Sequence, residues 1–111
     1  MNIYNTLTKK KEQFNPITQG IVKIYLCGPT VYNLFHIGNA RSFIMGDIIR
    51  RYFEYKSFKV TYIMNLTDID DRIIKKSIEE KLSFDKITQK YIDAFFEDIN
   101  KLKIKKANIY F

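Results

Sequence analysis

Two stretches of β-branched and aromatic residues flank a segment whose apolar residues recur at helical spacing. Residues 21–27 (I-V-K-I-Y-L-C) are typical of a strand that ends at Gly28-Pro29, and residues 58–64 (F-K-V-T-Y-I-M) of a second strand. The helical spacing between them predicts a helix from about Asn39 to Tyr55. A strand, helix and strand in this order predict a βαβ unit with parallel strands and a right-handed crossover.

One broad face of the predicted helix is apolar. It consists of Phe43, Ile44, Ile48, Ile49, Tyr52 and Phe53. Arg50, Arg51 and Glu54 fall on the opposite side, which we expect to face solvent.

Residues 3–14 are compatible with a short hairpin before the βαβ unit. Ile3, Asn5 and Leu7 share one face of an extended stretch, and residues 9–11, all lysine, would form the turn. Pro16 and Gly20 mark the connection to the first long strand.

Two further helices and a basic tail complete the pattern. Thr67 can cap the first of these helices, with Asp70 three residues later completing a capping box. Ser83 can cap the last helix, which continues to about Leu102 and leads into a basic tail over residues 101–106. The apolar positions of the two helices are Ile69, Ile73, Ile74, Ile78, then Ile87, Tyr91, Ile92, Phe95, Phe96 and Ile99.

The predicted sheet is incomplete. Parallel sheets are normally covered on both faces and contain more than two strands, so further strands or a partner are required. We therefore expect an α/β fold with a partial parallel sheet, of low stability as an isolated chain because one face and one edge stay open.

Composition adds three limits. Hydrophobic residues make up 46% and charged residues 28%, which indicates a globular chain. The net charge of +7 permits a polyanionic partner such as RNA, although an A/T-rich coding sequence would also enrich lysine. A single cysteine, the absence of a signal-peptide pattern and the lack of any apolar run of about 18 residues predict a soluble, cytoplasmic protein with no membrane segment.

The segment from Thr30 to Arg41 lies between a strand end and a helix start, where open α/β sheets bind ligands. The helix N-terminus favours a phosphate, Gly38 leaves room for a nucleotide, and His36 can donate to phosphate oxygens. Neither G-x-G-x-x-G nor the P-loop pattern is present. A purely structural histidine remains the alternative.

Two further groups face the same crevice. Cys27 can act as a metal ligand, a nucleophile or a small buried hydrophobe. One cysteine and one histidine cannot close a zinc site, which needs about four ligands. Residues 65–72 (N-L-T-D-I-D-D-R) are explained by helix capping or by an acidic patch for an ammonium group or Mg²⁺.

In order along the chain, residues 3–7, 25–32, 36–42 and 65–71 closely resemble the opening of the cysteinyl-tRNA synthetases. His36–Asn39 corresponds to the H-I-G-H signature of class I synthetases, with Asn39 replacing the last histidine. Ser57 occupies a turn where that family often has glycine. The resemblance implies that residues 1–111 are the N-terminal half of a Rossmann-like (HUP-type) nucleotide-binding catalytic domain.

The resemblance also implies roles for single residues. His36 and Asn39 would contact ATP and stabilise the charge that develops at the α-phosphate, with Thr30 and Gly38 completing the ATP site. Cys27 would be a ligand of a zinc ion that binds the substrate cysteine through its thiolate.

Gly28 and Thr67 would line the cysteine pocket. The implied partners are L-cysteine, ATP with Mg²⁺, and tRNA(Cys), in a family that is mostly monomeric.

Other parts of such an enzyme do not occur in these residues. The remaining zinc ligands, the K-M-S-K-S loop and the anticodon-binding domain have no counterpart here, and residues 75–77 (K-K-S) resemble that loop only superficially. We therefore expect the 111 residues alone to be inactive. Alternatives are the cysteine ligase of mycothiol synthesis and an inactive nucleotide-binding fragment.

Overall fold

The structure, a computed structural model, describes all residues from 1 to 111 as a hairpin followed by an α/β unit. The elements are β1 (Asn2–Asn5), β2 (Lys10–Gln13), β3 (Ile21–Thr30), α1 (Ile37–Tyr55), β4 (Lys59–Thr67), α2 (Asp71–Glu80), α3 (Phe84–Lys101) and β5 (Ile109–Tyr110). None of the helices has the length and apolar character needed to cross a membrane.

The main sheet has three parallel strands in the order β3-β4-β5. The pairing of β3 with β4 on either side of α1 confirms the predicted parallel βαβ unit. The third strand was not predicted. Ile109 and Tyr110 pair with Ile63 and Met64, and two residues are too few to show a hydrophobic alternation.

The core covers one face of this sheet. Tyr62 and Met64 of β4 pack with Phe43 of α1 and with Phe95 and Ile99 of α3, and all five are buried. A second buried cluster joins the loop after β3 to α2 and α3 through Val31, Ile73, Ile87 and Tyr91.

The opposite face of the sheet is open. Tyr25 and Cys27 of β3 are exposed there, and the Tyr25 ring lies near Phe111, with ring centroids 6.2 Å apart. This arrangement agrees with the expectation that one sheet face stays uncovered.

The predicted solvent side of α1 is only partly exposed: Arg51 faces solvent as predicted, but the prediction for Arg50 was wrong. Arg50 is only 8% exposed, and its Nη1 donates to the carbonyl oxygen of Lys106 at 2.6 Å. The segment after α3 covers this side of the helix, whereas the predicted core positions Ile44 and Ile48 are exposed. The basic tail is therefore packed through its backbone rather than freely solvated.

Two predicted boundaries were wrong. Strand β3 continues through Gly28-Pro29 to Thr30, with an irregularity in its pairing to β4. Thr67 is the last residue of β4, and Asp70 caps α2 by accepting a hydrogen bond from the Arg72 N–H.

The structure confirms the hairpin, and Ser83 is the N-cap of α3 without a side-chain hydrogen bond. Lys10 and Lys11 belong to β2 rather than to the turn.

Candidate functional site

A crevice of about 610 Å³ opens at the carboxyl end of β3 and the N-terminus of α1. It is lined by Gly28, Pro29, Thr30, Tyr32, Asn33, Leu34, Phe35, His36, Asn39 and Arg72. Four predicted site residues, Gly28, Thr30, His36 and Asn39, therefore line one cavity. Gly38, Cys27 and Thr67 are not among its lining residues.

His36 is the N-cap of α1, and its ring orientation follows from this role. Its Nδ1 accepts a hydrogen bond from the Gly38 N–H at 3.0 Å. Because a neutral imidazole that accepts at Nδ1 carries its proton on Nε2, His36 presents an Nε2–H donor with no partner in the chain. A Cβ at Gly38 would lie 3.3 Å from His36 Nδ1, so a larger residue would crowd this cap.

Asn39 completes the capping box and is oriented in the same way. Its Oδ1 accepts from the His36 backbone N–H at 3.3 Å. Since a backbone N–H can only donate, the oxygen must face it, and Nδ2 is left as a free donor. His36 and Asn39 thus present two unpaired donors at a helix N-terminus, where the dipole also favours an anion.

Arg72 connects three parts of the crevice. Its guanidinium donates to both carboxylate oxygens of Asp70 and, at 3.0 Å, to Oγ1 of Thr30. It also lies over the Tyr32 ring, 4.9 Å from the centroid. Hydrogen bonds from the Arg72 side chain and backbone lower the pKa of Asp70 from 3.8 to about 2.

Cys27 and Thr67 lie at the ends of the paired strands β3 and β4. Asn65 is the register partner of Cys27, and its side chain bonds Gly28, Tyr25 and Thr67. A Cβ at Gly28 would clash with the carbonyl oxygen of Asn65, at a distance well under 3.0 Å. The close approach of β3 to β4 at this position therefore requires glycine.

Residues 13–111 match the protein family described as the tRNA synthetases class I (C) catalytic domain. The chain belongs to this family. It is also 55% identical to proteins named cysteine–tRNA ligase from Ligilactobacillus salivarius over 98% of its length, and from Staphylococcus xylosus and Staphylococcus epidermidis over 96%.

The coverage of these synthetase relatives differs. The chain spans 23% of the Ligilactobacillus salivarius and Staphylococcus epidermidis proteins, which is about a quarter of their length, and 91% of the Staphylococcus xylosus protein. The match confirms the family and the α/β fold class of a partial class I catalytic domain.

The 111 residues do not by themselves form a metal centre. No group of three or more His, Cys, Asp or Glu side chains is close enough to hold an ion. Cys27 supplies one exposed thiol, and structural zinc sites use about four ligands. Asp70 is engaged with Arg72 and the helix cap rather than with an acidic patch.

Sequence reasoning assigned no role to Arg72 or Asn65. The contacts of both side chains depend on strand register and join residues far apart in sequence, such as Arg72 with Thr30 and Asn65 with Tyr25. The one available signal was their position in the 65–72 segment directly after a strand.

Proposed function

We propose that this chain forms the first part of the ATP and cysteine site of a cysteine–tRNA ligase. The reaction activates L-cysteine with ATP to cysteinyl adenylate and transfers the cysteinyl group to tRNA(Cys). The observation that supports it is the pair of unpaired donors on His36 and Asn39 in the crevice at the start of α1.

In the first step a carboxylate oxygen of cysteine attacks the α-phosphorus of ATP, and pyrophosphate leaves. Negative charge grows on the α-phosphate oxygens as this happens. The His36 Nε2–H and the Asn39 Nδ2–H donate to these oxygens without reorganising, because the capping box already holds both side chains. In the second step a ribose hydroxyl of the tRNA end attacks the carbonyl carbon, and AMP leaves.

The remaining residues of the proposed site have positioning roles. Thr30 and Gly38 border the ATP, while Gly28 and Thr67 border the cysteine near Cys27. Cys27 would be one ligand of a zinc ion that holds the substrate thiolate, with the other ligands coming from outside these 111 residues. ATP would carry Mg²⁺.

A chimera tests the proposal. The chain replaces the 107 aligned residues of the Staphylococcus epidermidis relative, and cysteine-dependent ATP–pyrophosphate exchange and Cys-tRNA formation are measured. We expect an active chimera in which His36→Ala or Asn39→Ala lowers kcat about 10²- to 10³-fold, the usual effect of losing a preorganised donor.

Ser42→Ala is the matched control, because Ser42 lies exposed on the same helix. A folded but inactive chimera, or one indifferent to both substitutions, would overturn the proposal. If the 111-residue chain binds ATP but the chimera shows no ATP–pyrophosphate exchange, the chain is better described as an inactive nucleotide-binding fragment.

A further inference from the structure

The side chain of Asn65 joins the ends of β3 and β4 on the open face of the sheet. Its Oδ1 accepts from the Tyr25 hydroxyl at 2.9 Å and from the Gly28 backbone N–H at 3.0 Å. Its Nδ2 lies 3.1 Å from Oγ1 of Thr67. One amide therefore contacts both strands at the place where their pairing becomes irregular.

The direction of these bonds is fixed by chemistry. The Gly28 N–H can only donate, so the atom facing it must be the amide oxygen. The atom facing Thr67 is then the NH₂ group, which can only donate. Oγ1 of Thr67 must accept this bond, and its own proton must point elsewhere.

No other protein group takes the Thr67 hydroxyl proton. Oγ1 occurs in no second side-chain hydrogen bond, and Thr67 is only partly buried at the carboxyl end of β4. A partly buried donor without a partner is available to a ligand.

We propose that Asn65 is a positioning residue that sets the polarity of Thr67, so that the Thr67 hydroxyl donates a hydrogen bond to an acceptor atom of the amino-acid substrate. This inference rests on the proposed function for its ligand. The register pairing of Asn65 with Cys27 places the same amide beside the thiol expected in the cysteine pocket.

Replacing Asn65 with aspartate changes the direction of the hydrogen bond with Thr67 while keeping the bonds from Tyr25 and Gly28. The new carboxylate still accepts from Tyr25 and Gly28, but it also accepts from Thr67, which turns the hydroxyl proton inward. In the chimera, Asn65→Asp should raise the KM for cysteine about 10- to 100-fold, the range for one hydrogen bond to a charged group, and leave the KM for ATP unchanged.

Three variants complete the cycle. Thr67→Val should raise the KM for cysteine as much as Asn65→Asp does, and the double variant should raise it no further. Thr67→Ser, which keeps the hydroxyl, should leave the KM for cysteine near that of the unmodified chimera. Tyr25→Phe is the control, because Gly28 alone still fixes the amide. An unchanged cysteine KM in Asn65→Asp, or an equal loss in Tyr25→Phe, would overturn the proposal.

A readout other than activity separates this inference from the proposed function. In the folded chimera, hydrogen exchange of the Gly28 amide, followed by NMR, should be slow with Asn65 and with Asn65→Asp, and fast with Asn65→Ala. Rapid exchange at Gly28 in the chimera, with the other amides of β3 protected, would overturn the assigned polarity even if the chimera is active. An inactive chimera with the expected exchange pattern would reject the enzyme function and the substrate role, and would leave only the hydrogen-bond geometry.

Discussion

Gly46 sets the distance between α1 and the sheet. A Cβ at this position would lie under 3.0 Å from the Tyr62 hydroxyl and 3.0 Å from Cδ2 of Leu26. Gly46→Ala should lower the free energy of unfolding by about 1–3 kcal/mol, because overpacking outweighs the gain in helix propensity. Urea denaturation measures this, with Ser42→Ala on the exposed side of α1 as the control. Equal stability of the two variants would contradict the close packing.

Ser57 adopts a left-handed backbone conformation, with φ of 62°, in the turn between α1 and β4. Side chains are strained there and glycine is not. Ser57→Gly should therefore raise the free energy of unfolding by about 0.5–1 kcal/mol, after allowing for the greater freedom of glycine in the unfolded chain. Thermal unfolding checks the sign. Ser42→Gly, within the helix, should shift stability in the opposite direction.

The carboxyl group of Asp70 should titrate with a pKa of about 2 rather than 3.8, because Arg72 bonds its ionised form. A lowered pKa means that this cap stabilises α2 above about pH 4 and is lost as the pH falls toward 2. Arg72→Met should move the pKa of Asp70 upward, and Arg41→Met should not. Carboxyl NMR titration measures both, and a pKa of Asp70 that Arg72→Met leaves unchanged would refute the assignment.

Among the elements, α1 is held to the segment after α3 by polar contacts. Asp47 is 8% exposed, accepts the Lys105 backbone N–H at 3.1 Å, and pairs with Arg51 Nε at 2.6 Å. Asp47→Ala should lower the free energy of unfolding by about 1–3 kcal/mol, because two partly buried hydrogen bonds to a charged carboxylate are lost. It should also speed amide exchange at Phe111, since this segment leads into β5.

The control for Asp47 is Glu97→Ala. The Glu97–Lys101 pair on α3 is well exposed, with side-chain exposures of 67% and 65%. Such a pair is worth about 0–1 kcal/mol. Equal losses in denaturation midpoint for both variants would show that the Asp47 contacts add nothing specific.

The hydrophobic pattern predicted every element except β5, but not all of their ends. β3, α1 and β4 are long enough to show a period, whereas the end of β3 and the start of α2 depend on single contacts. Pro29 needs no N–H in an irregular strand pairing, so β3 continues past it. Arg50 looked like a surface residue because its acceptor, the Lys106 carbonyl, lies 56 positions away.

The candidate site shows the same division. Residues 36–39 were predicted as the phosphate-binding helix start because the motif is contiguous in sequence. The roles of Asn65 and Arg72 depend on the register of β3 with β4, which no local pattern contains.

At the scale of the whole molecule, the fold buries little of its apolar surface. Only 15 of 111 residues are buried, which is a small core for a chain of this length. One sheet face and the β3 edge are open, and Ile44, Met45 and Ile48 leave an apolar stripe exposed on α1.

We therefore expect the 111-residue chain to unfold with a free energy below the roughly 5–15 kcal/mol of ordinary domains. The entropy of ordering the chain scales with its length, while the hydrophobic gain scales with the area covered, and here much of that area stays in contact with water. Guanidinium denaturation followed by far-UV circular dichroism measures this quantity. A cooperative transition with a free energy of unfolding of about 5 kcal/mol or more would mean that the open face and edge cost less than the exposed area indicates.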